Sequence, residues 1–325
     1  MYKNILVVGG AGYIGSHVVL AFLEEGYHVS VLDNLSTGLE QNLFPEADFF
    51  HGDIIDKAYL RQVFKNKFDG VIHLAALKAA GDSMLIPEKY AYQNISGTLN
   101  LVEAVTESKT NNIIFSSTAA VYGLPEYLPL DEEHPLVPIN FYGYTKRVIE
   151  QYLGWFDRLK GLKSVCLRYF NAAGYDLKGR VTGIEIKPAN LIPIVMEAAI
   201  GMRQSVEVFG QDYQTRDGTG ERDYIHVSDL ASAHLKAYEN LAKDKTSLIL
   251  NLGTEKTYSV LDVINLTEKI SGRKIPFNIA ERRPGDHDIL VAKSALANRT
   301  LNWEPSKSDL EIIIQSTWEV YKQKI

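Results

Sequence analysis

A glycine-rich turn between an apolar strand and a helix is the feature that most constrains how this chain folds. The continuous apolar run at residues 5–8 is typical of a strand buried on both faces of a parallel sheet. Glycines follow it at once, a helical pattern covers residues 12–25, and a second strand over residues 28–32 ends at Asp33. This order predicts a strand–helix–strand unit at the beginning of the chain.

The same alternation continues along the first half of the chain. Strands are predicted at residues 48–51, 70–73, 112–115 and 163–168, and helices at residues 56–67, 88–108 and 142–159. Strands that alternate with helices predict an α/β fold with a doubly wound parallel (Rossmann) sheet.

Beyond Gly174 the pattern becomes irregular, with a helix predicted at residues 191–201 and a polar, glycine-rich loop after Gln211. We therefore expect a second, smaller α+β domain that is interleaved with the first. The predicted bounds are residues 1–175 for the sheet domain and 176–325 for the smaller one. A segment near residues 224–251, with a strand at 248–251, is expected to return to the sheet.

Composition excludes several classes of partner. The formal net charge of the 325 residues is -6, so the chain has no field that attracts nucleic acid or an anionic membrane. Its beginning lacks the pattern of a signal peptide and no apolar stretch is long enough for a bilayer, so we expect a cytoplasmic protein. The single cysteine, Cys166, lies in an apolar run and is expected to be inert, and no Cys/His spacing suggests a metal site.

The glycines of the turn fit two registers of a phosphate-binding motif. Gly10, Gly12 and Gly15 give G-x-G-x-x-G, and Gly9 with Gly12 and Gly15 gives G-x-x-G-x-x-G. In either register the backbone can approach a pyrophosphate, and the N–H groups of the helix N-terminus can hold the phosphates. Asp33 can accept both hydroxyls of an adenosine ribose and would repel a 2′-phosphate. The sequence thus favours NAD over NADP, against the alternative of a turn without a ligand.

Two more segments follow predicted strands at the edge of the sheet where ligands bind. Asp53-Ile54 comes after the third strand, and Leu74 to Lys78 come after the fourth. Taken alone, each segment is as consistent with a surface loop as with a cofactor contact.

Three features predict a catalytic site. Ser116-Ser117-Thr118 follows the fifth strand, and Tyr142 and Lys146 share one face of a predicted helix. Tyr-x-x-x-Lys alone is common and is typical of a solvated helix face, but here it accompanies a cofactor turn.

The grouping has a chemical reason. A free tyrosine is a poor base at neutral pH, and a nearby ammonium together with a positive nicotinamide ring favours its phenolate. The phenolate can then take a proton from a substrate hydroxyl while hydride leaves the same carbon, with the Thr118 hydroxyl holding the reacting oxygen.

The motifs resemble the extended short-chain dehydrogenase/reductase family. The segments that carry this resemblance are Gly9–Gly15, Asp33-Asn34-Leu35, Gly52-Asp53-Ile54 and Tyr142-x-x-x-Lys146. Other blocks resemble the UDP-hexose 4-epimerases of that family, namely residues 115–123, Arg168-Tyr169-Phe170-Asn171, residues 217–227 and residues 282–286. The blocks span nearly the whole chain, and the block at 217–227 is specific to this group.

The resemblance implies roles for individual residues. Thr118, Tyr142 and Lys146 would be catalytic, with Thr118 departing from the more usual serine but keeping the hydroxyl. Contacts with NAD would come from Gly9, Gly12, Tyr13, Ile14, Gly15, Asp33, Asn34, Asp53, Ile54, Leu74, Ala75, Lys78, Asn94, Tyr142, Lys146 and Phe170. Contacts with the UDP-hexose would come from Lys78, Thr118, Tyr142, Asn171, Asn190, Leu191, Phe209, Arg222, Arg283, Asp286 and Leu290.

The implied reaction is 4-epimerisation of UDP-glucose and UDP-galactose through a transient 4-keto sugar, with NAD that stays bound. The helices at 88–108 and 142–159 would form a homodimer in such a family. Arginines suit the diphosphate because they can neutralise it with charge-assisted hydrogen bonds. For Arg283 alone, the alternative is an ordinary surface ion pair.

Several other functions stay open. A nucleotide-sugar 4,6-dehydratase would carry an acidic pair where this chain has Ala119 and Ala120. A net dehydrogenase would release its coenzyme in each cycle, and a non-catalytic NAD-sensing module would be expected to lose Tyr142 or Lys146. The resemblance implies that Leu290 lines the sugar pocket, where in this family a bulky tyrosine goes with plain hexoses and a small residue with N-acetylated sugars. Leucine is intermediate, so a UDP-N-acetylhexosamine or dual-specificity epimerase is the main alternative.

Overall fold

The computed structural model describes residues 3–283 and 285–325. Its strands are β1 (Asn4–Val8), β2 (His28–Asp33), β3 (Asp48–His51), β4 (Gly70–His73), β5 (Asn112–Ser116), β6 (Lys163–Tyr169), β7 (Asn171–Ala173), β8 (Val206–Phe209), β9 (Glu221–Arg222), β10 (Tyr224–His226), β11 (Leu248–Leu252), β12 (Tyr258–Ser259), β13 (Phe277–Ala280) and β14 (Ile289–Leu290). A parallel seven-stranded sheet has the order β11-β6-β5-β4-β1-β2-β3. The order changes direction beside β1, so the predicted doubly wound sheet is confirmed.

Helices cover both faces of this sheet and build the rest of the molecule. They are α1 (Tyr13–Glu24), α2 (Lys57–Val63), α3 (Ala80–Leu85), α4 (Pro87–Tyr90), α5 (Gly97–Glu107), α6 (Phe141–Lys160), α7 (Leu191–Ala199), α8 (Val227–Asp244), α9 (Val260–Ser271), α10 (Ala295–Leu301) and α11 (Leu310–Tyr321). The helix predicted at 88–108 is interrupted, because residues Ala91–Ser96 form a π-helical turn between α4 and α5. Such widened turns often mark functional sites, and this one carries Asn94.

The central strands are apolar throughout because both faces of the sheet are covered. In β1, Ile5 and Val7 pack on one side with α1 and α8, whereas Leu6 and Val8 pack on the other with α2, α5 and α6. All four side chains are at most 1% exposed. The alternation of side chains along a strand therefore divides one apolar run between two separate cores.

A third core holds the smaller region together. It is formed by α7, α9 and α11 around β8. Short strands surround it in three small sheets, with the orders β10-β7, β12-β9-β14 and β13-β8. The chain leaves the large sheet after β6 and returns as β11, which pairs with β6 in parallel from Leu248 to Leu252. This is the strand predicted at 248–251.

Within the described part of the chain, no helix has the length and apolar character needed to cross a membrane. The same residues contain no group of three or more His, Cys, Asp or Glu side chains arranged to hold a metal ion. Cys166 is buried, as predicted.

Candidate active site

The glycine turn brings the backbone of three strands into close contact. Gly9 has a φ of +86°, and a Cβ added there would lie 2.6 Å from the amide nitrogen of Ala75. A Cβ on Gly15 would collide with the carbonyl oxygen of Gly9 and lie 2.8 Å from the Cα of Gly10. Glycine is therefore required at both positions. Gly12 is the N-cap residue of α1 and carries no side chain that could occupy the first N–H groups of the helix.

Side chains near the turn serve to attach it to the rest of the molecule. The Tyr13 hydroxyl donates a hydrogen bond to the carbonyl of Gly174, where the chain enters the smaller region. Nε2 of His17, on the next turn of α1, accepts from the Asp176 amide at 3.1 Å. Ile14 packs against the core on the α1 side of the sheet. At this position the groups available to a ligand are thus mainly backbone N–H groups.

Asp33 lies at the end of β2, as predicted, and is 8% exposed. Its carboxylate accepts hydrogen bonds from the amides of Ala11 at 3.0 Å and Leu35 at 2.8 Å. Burial raises the pKa of this carboxyl above its ordinary value, and the backbone hydrogen bonds oppose that rise. Next to it, the amide of Asn34 donates to Asp53 at 2.7 Å, so the ends of β2 and β3 meet.

The loop after β4 is fixed by hydrogen bonds to its neighbours. The amides of Leu74 and Ala75 both donate to the Val8 carbonyl, at 2.8 and 3.0 Å. Asn94 is fully buried, and its side chain binds both the amide and the carbonyl of Leu77, at 2.8 and 3.0 Å. The polar atoms of Asn94 therefore hold this loop in place, and the direct cofactor contact implied by the resemblance stays a prediction.

Two other predicted cofactor residues lie on the same side of the sheet. Lys78 forms an ion pair with Glu185, which belongs to the smaller region and reaches across to the loop after β4. The side chain of Ile54 is 7% exposed and packs where Gly97 begins α5.

The three predicted catalytic residues converge beyond the end of β5. Tyr142 and Lys146 lie on the first turns of α6, whose N-cap Asn140 accepts from the Gly143 amide at 2.8 Å. The Lys146 ammonium donates to the Ser116 carbonyl at 2.9 Å and lies 5.9 Å from the centre of the Tyr142 ring. The Thr118 side chain lies beside Tyr142 and favours its phenolate. The i, i+4 spacing has thus placed an ammonium, a phenol and a hydroxyl together.

Burial controls the pKa values of this group. It raises the pKa of Tyr142, and the neighbouring Thr118 side chain only partly opposes that rise. Burial also lowers the pKa of Lys146 to about 7, while the Glu150 carboxylate acts in the opposite direction. From the sequence, the ammonium and a positive nicotinamide ring together are expected to favour the phenolate of Tyr142. Burial of the phenolate opposes both charges, and the expectation stays a prediction.

A second group of predicted residues lies in the smaller region. Arg222 on β9 forms an ion pair with Asp286 and donates to the His287 carbonyl at 2.9 Å. The guanidinium of Arg283 stacks on the Phe209 ring, 3.8 Å from its centre. The structure thus brings two arginines, an aspartate and an aromatic ring to neighbouring strands and loops, an arrangement suited to an anionic, planar ligand.

The two groups are connected through β14. Leu290 pairs with Arg222 in the β14–β9 register and packs in a small apolar cluster with Phe170, Ala119 and Tyr122. Asn171 follows Phe170, and its side-chain amide donates to the Asp223 carbonyl at 3.0 Å. A ligand that extends from Arg222 past Leu290 would therefore reach the Tyr142 side of the sheet.

Asn190 and Leu191 are less closely associated with this group. Asn190 is exposed at the N-cap position of α7, and Leu191 packs into the third core beside β8. They share that core with the strand that ends at Phe209, but no described hydrogen bond connects them to Arg222 or Arg283.

Two residues of the site were missed by the sequence analysis. Glu185 lies in the irregular segment after Gly174, where no periodicity pointed to it. Glu150 continues the spacing of Tyr142 and Lys146 by one more helical turn, and that signal was available.

Comparison with known proteins agrees with this arrangement. Residues 5–253 match the model of the NAD dependent epimerase/dehydratase family. The chain is 46% identical over 320 residues to the UDP-glucose 4-epimerase of Halalkalibacterium halodurans, an alignment that covers 98% of this chain and 96% of the relative.

Solved structures give the same result. The UDP-glucose 4-epimerase from Brucella ovis in complex with NAD matches with a TM-score of 0.96 at 42% identity, over 98% of each chain. That from Bifidobacterium longum in complex with NAD+ and UDP matches with a TM-score of 0.91 at 38% identity, over 99% of this chain and 98% of the other.

The sheet, the glycine turn and the Tyr142 group together define a Rossmann-type enzyme of the short-chain dehydrogenase kind. The chain belongs to the NAD dependent epimerase/dehydratase family. The resemblance drawn from the sequence is therefore confirmed, as are an epimerase as the class of enzyme and NAD as its cofactor.

Proposed function

We propose that the protein interconverts UDP-glucose and UDP-galactose by 4-epimerisation with NAD that stays bound. The observation that carries this proposal is the convergence of Thr118, Tyr142 and Lys146 at the edge of the sheet that holds the glycine turn. Arg222 of the smaller region pairs with Leu290 in the β14–β9 register, and Leu290 packs with Phe170 toward that edge. The similar proteins from Halalkalibacterium halodurans and Brucella ovis are UDP-glucose 4-epimerases, which supports the same activity here.

The described residues fit NAD. The turn offers backbone N–H groups and a helix N-terminus to the pyrophosphate, and the buried carboxylate of Asp33 suits the adenosine ribose. The loop after β4, with Leu74, Ala75 and Lys78, and the region of Phe170 would lie along the rest of the dinucleotide. When bound, NAD supplies a hydride acceptor that takes hydride from the sugar carbon and returns it.

In this proposal Tyr142 is the acid–base catalyst. As phenolate it takes the proton of the sugar 4-hydroxyl, and later it returns that proton to the oxygen of the 4-keto sugar. The Thr118 hydroxyl holds the reacting oxygen. The ammonium of Lys146 stabilises the phenolate and, with the cofactor's positive charge, must offset the burial that raises the pKa of Tyr142.

The UDP moiety would be held away from the reacting carbon. Arg222 and Arg283 can neutralise the diphosphate, Phe209 offers a ring to the base, and Asp286 can accept from a ribose hydroxyl. Asn171, Asn190 and Leu191 complete this set as predicted from the family. A firm hold on the nucleotide leaves the hexose free to present either face to the cofactor, which epimerisation requires.

Leu290 is the residue that we expect to limit the size of the sugar. It is half-buried beside Phe170, and its side chain leaves more room than a tyrosine would. Some turnover of N-acetylated sugars is therefore expected in addition to glucose and galactose. The Leu290→Tyr variant should lose N-acetyl activity, and survival of that activity would contradict this role.

We also propose that residues 1–175 and 176–325 act as cofactor and substrate domains, and that the enzyme works as a homodimer in the cytoplasm. The exposed Tyr92, Trp155 and Leu159 side chains of the predicted dimer helices support association through them. Sedimentation of the wild type should give a dimer, and the Trp155→Glu variant should shift it toward monomer. A monomeric wild type would contradict this assembly.

The direct test of function is an incubation of purified protein with UDP-galactose and without added NAD. Formation of UDP-glucose without accumulated NADH would support an epimerase with retained cofactor, and the Tyr142→Phe variant is the control. UDP-N-acetylgalactosamine, run in parallel, would define the breadth. NADH that accumulates only after NAD is supplied would instead identify a net dehydrogenase.

A further inference from the structure

A buried carboxylate connects the chain segments that carry the proposed catalytic residues. Glu150 lies on α6, four residues after Lys146 and eight after Tyr142, so the three share one face of the helix. It is 6% exposed. Burial of a charged side chain in this position requires strong partners, and the structure provides them.

Those partners come from two strands of the sheet. The Ser117 hydroxyl donates to Oε1 of Glu150 at 2.5 Å. Arg168 makes a bidentate pair, with Nε donating to Oε1 at 2.9 Å and Nη2 donating to Oε2 at 2.6 Å. Ser117 immediately precedes Thr118, and Arg168 lies just before the predicted ligand residues Phe170 and Asn171. One carboxylate therefore fixes α6 relative to the ends of β5 and β6.

A second layer completes the network. Nη1 of Arg168 donates to the Tyr122 hydroxyl at 3.1 Å, and that hydroxyl donates to Asn251 at 2.6 Å. All of these side chains are buried. Since every one of them has a hydrogen-bond partner, the network is rigid and can hold the Glu150 charge at a constant position.

The Glu150 charge acts on Lys146. Burial lowers the pKa of Lys146 to about 7, and Glu150 is the largest influence that raises it. The charged or titratable groups around Lys146 and Tyr142 are Glu150 on α6, Cys166 and Tyr169 on β6, Tyr90 on α4 and His73 on β4, and Arg168 on β6 is paired with Glu150. Burial lowers the pKa of His73 to about 3, so His73 is neutral at physiological pH. Of these groups, Glu150 is the one whose negative charge at neutral pH can stabilise the ammonium.

We propose that Glu150 is a positioning residue for epimerisation, which holds the catalytic helix against the Thr118 segment and keeps Lys146 charged in a buried site. This inference rests on the proposed function. Arg168 shares the positional role but has the opposite electrostatic effect. Changes at the two partners of one ion pair should therefore move the titration of the site in opposite directions.

The test compares the pH profiles of kcat for the wild type, Glu150→Gln and Arg168→Gln. Loss of the negative charge lowers the pKa values of both Lys146 and Tyr142, so the whole Glu150→Gln profile should move to lower pH by about one unit. The Arg168→Gln profile should move to higher pH. The Glu150→Gln/Arg168→Gln double variant, which leaves no unpaired buried charge, should lie between the wild type and Glu150→Gln.

The order of the profiles decides the outcome. A purely structural ion pair predicts that both single variants lose kcat with unchanged profiles, and that result would overturn the proposal. Profiles displaced in the same direction, or a double variant outside the stated interval, would also overturn it. If the single variants do not fold, a double-variant profile displaced to lower pH than the wild type supports the proposal, and one that is unchanged or displaced to higher pH overturns it. A wild type without epimerase activity would contradict the proposed function instead, so the two failures are distinguishable.

Discussion

At the glycine turn the groups offered to a ligand are backbone N–H groups and one buried carboxylate, whereas around Arg222 they are side chains that bind one another. The turn is closely packed, because a Cβ at Gly9 or Gly15 would collide with neighbouring backbone. Arg222 is paired with Asp286, and a ligand there must replace or share that pair. The difference suits a cofactor that remains and a substrate that exchanges, since a preformed backbone site needs little reorganisation and a paired side-chain site can open.

The largest expected effect on kcat is at Tyr142, which lies between the glycine turn and the Arg222 region. Its replacement by Phe removes the acid–base group and keeps the ring, so kcat should fall by about a thousandfold while NAD and UDP-sugar still bind. Steady-state kinetics and the NAD content of the purified variant would measure this. The Tyr144→Phe variant, on the same helix but exposed, is the control. A kcat within tenfold of the wild type would mean that another group moves the proton.

The Gly15→Ala variant is expected to lose the binding of NAD at the glycine turn. The added Cβ would collide with the Gly9 carbonyl, so the turn must open and the retained NAD should be lost on purification. We expect an NAD content reduced by about tenfold or more, measured after denaturing the protein. Gly154→Ala is the matched control, because Gly154 lies inside α6 with its nearest neighbour 3.9 Å from an added Cβ. Full NAD occupancy in Gly15→Ala would show that the turn is not the cofactor site.

The Arg222→Gln variant should weaken binding of the UDP-sugar and leave binding of NAD unchanged. Loss of one charge-assisted contact with the diphosphate should raise KM for UDP-galactose by about ten- to a hundredfold, with unchanged NAD content. Arg216→Gln provides the comparison, since Arg216 lies in the preceding loop and pairs with Asp262 at the surface. Loss of NAD from the Arg222→Gln variant, or an unchanged KM, would contradict the assignment of the glycine turn to the cofactor and of the Arg222 region to the substrate.

The smallest effect on turnover is expected from His17, which attaches the glycine turn to Asp176. Burial lowers its pKa from 6.5 to about 4. The unfolded chain therefore binds more protons between these values, and the contribution of His17 to stability is present above pH 6.5 and lost as pH falls toward 4. His17→Gln keeps an acceptor for the Asp176 amide but cannot titrate.

Between pH 7 and pH 5 the wild type should lose about 2 kcal/mol more stability than His17→Gln. Denaturant unfolding at the two pH values would measure this, with the exposed His28→Gln variant following the wild type. Equal losses in the wild type and His17→Gln would show that His17 is not held neutral in the folded protein.

Sequence patterns were sufficient where a single periodicity or a single backbone requirement decides the structure. The apolar runs placed the parallel strands, since a strand buried on both faces tolerates little else. The glycine turn and the Tyr142–Lys146 spacing were visible for the same reason. The π-helical turn at Ala91–Ser96 was not predictable, because six residues are too few to show a period different from that of the flanking α-helices.

Contacts between distant segments could not be read from local pattern. The Lys78–Glu185 pair joins residues in two loops without regular structure. The role of Asn94 depends on which partner its amide meets in space. The raised pKa of Tyr142 follows from how completely that side chain is buried, which spacing does not determine.

The return of the chain as β11 has a consequence for how this protein can be divided. The edge strand β11 of the cofactor-binding sheet is encoded after the whole β7–β10 region, so no single cut in the gene separates the large sheet from the smaller region. A fragment that stops at residue 175 would leave β6 as an unpaired edge, deprived of its partner from Leu248 to Leu252. Because α7 precedes β11 whereas α9 and α11 follow it, a recombination event that exchanges the smaller region must replace two separate segments of the chain.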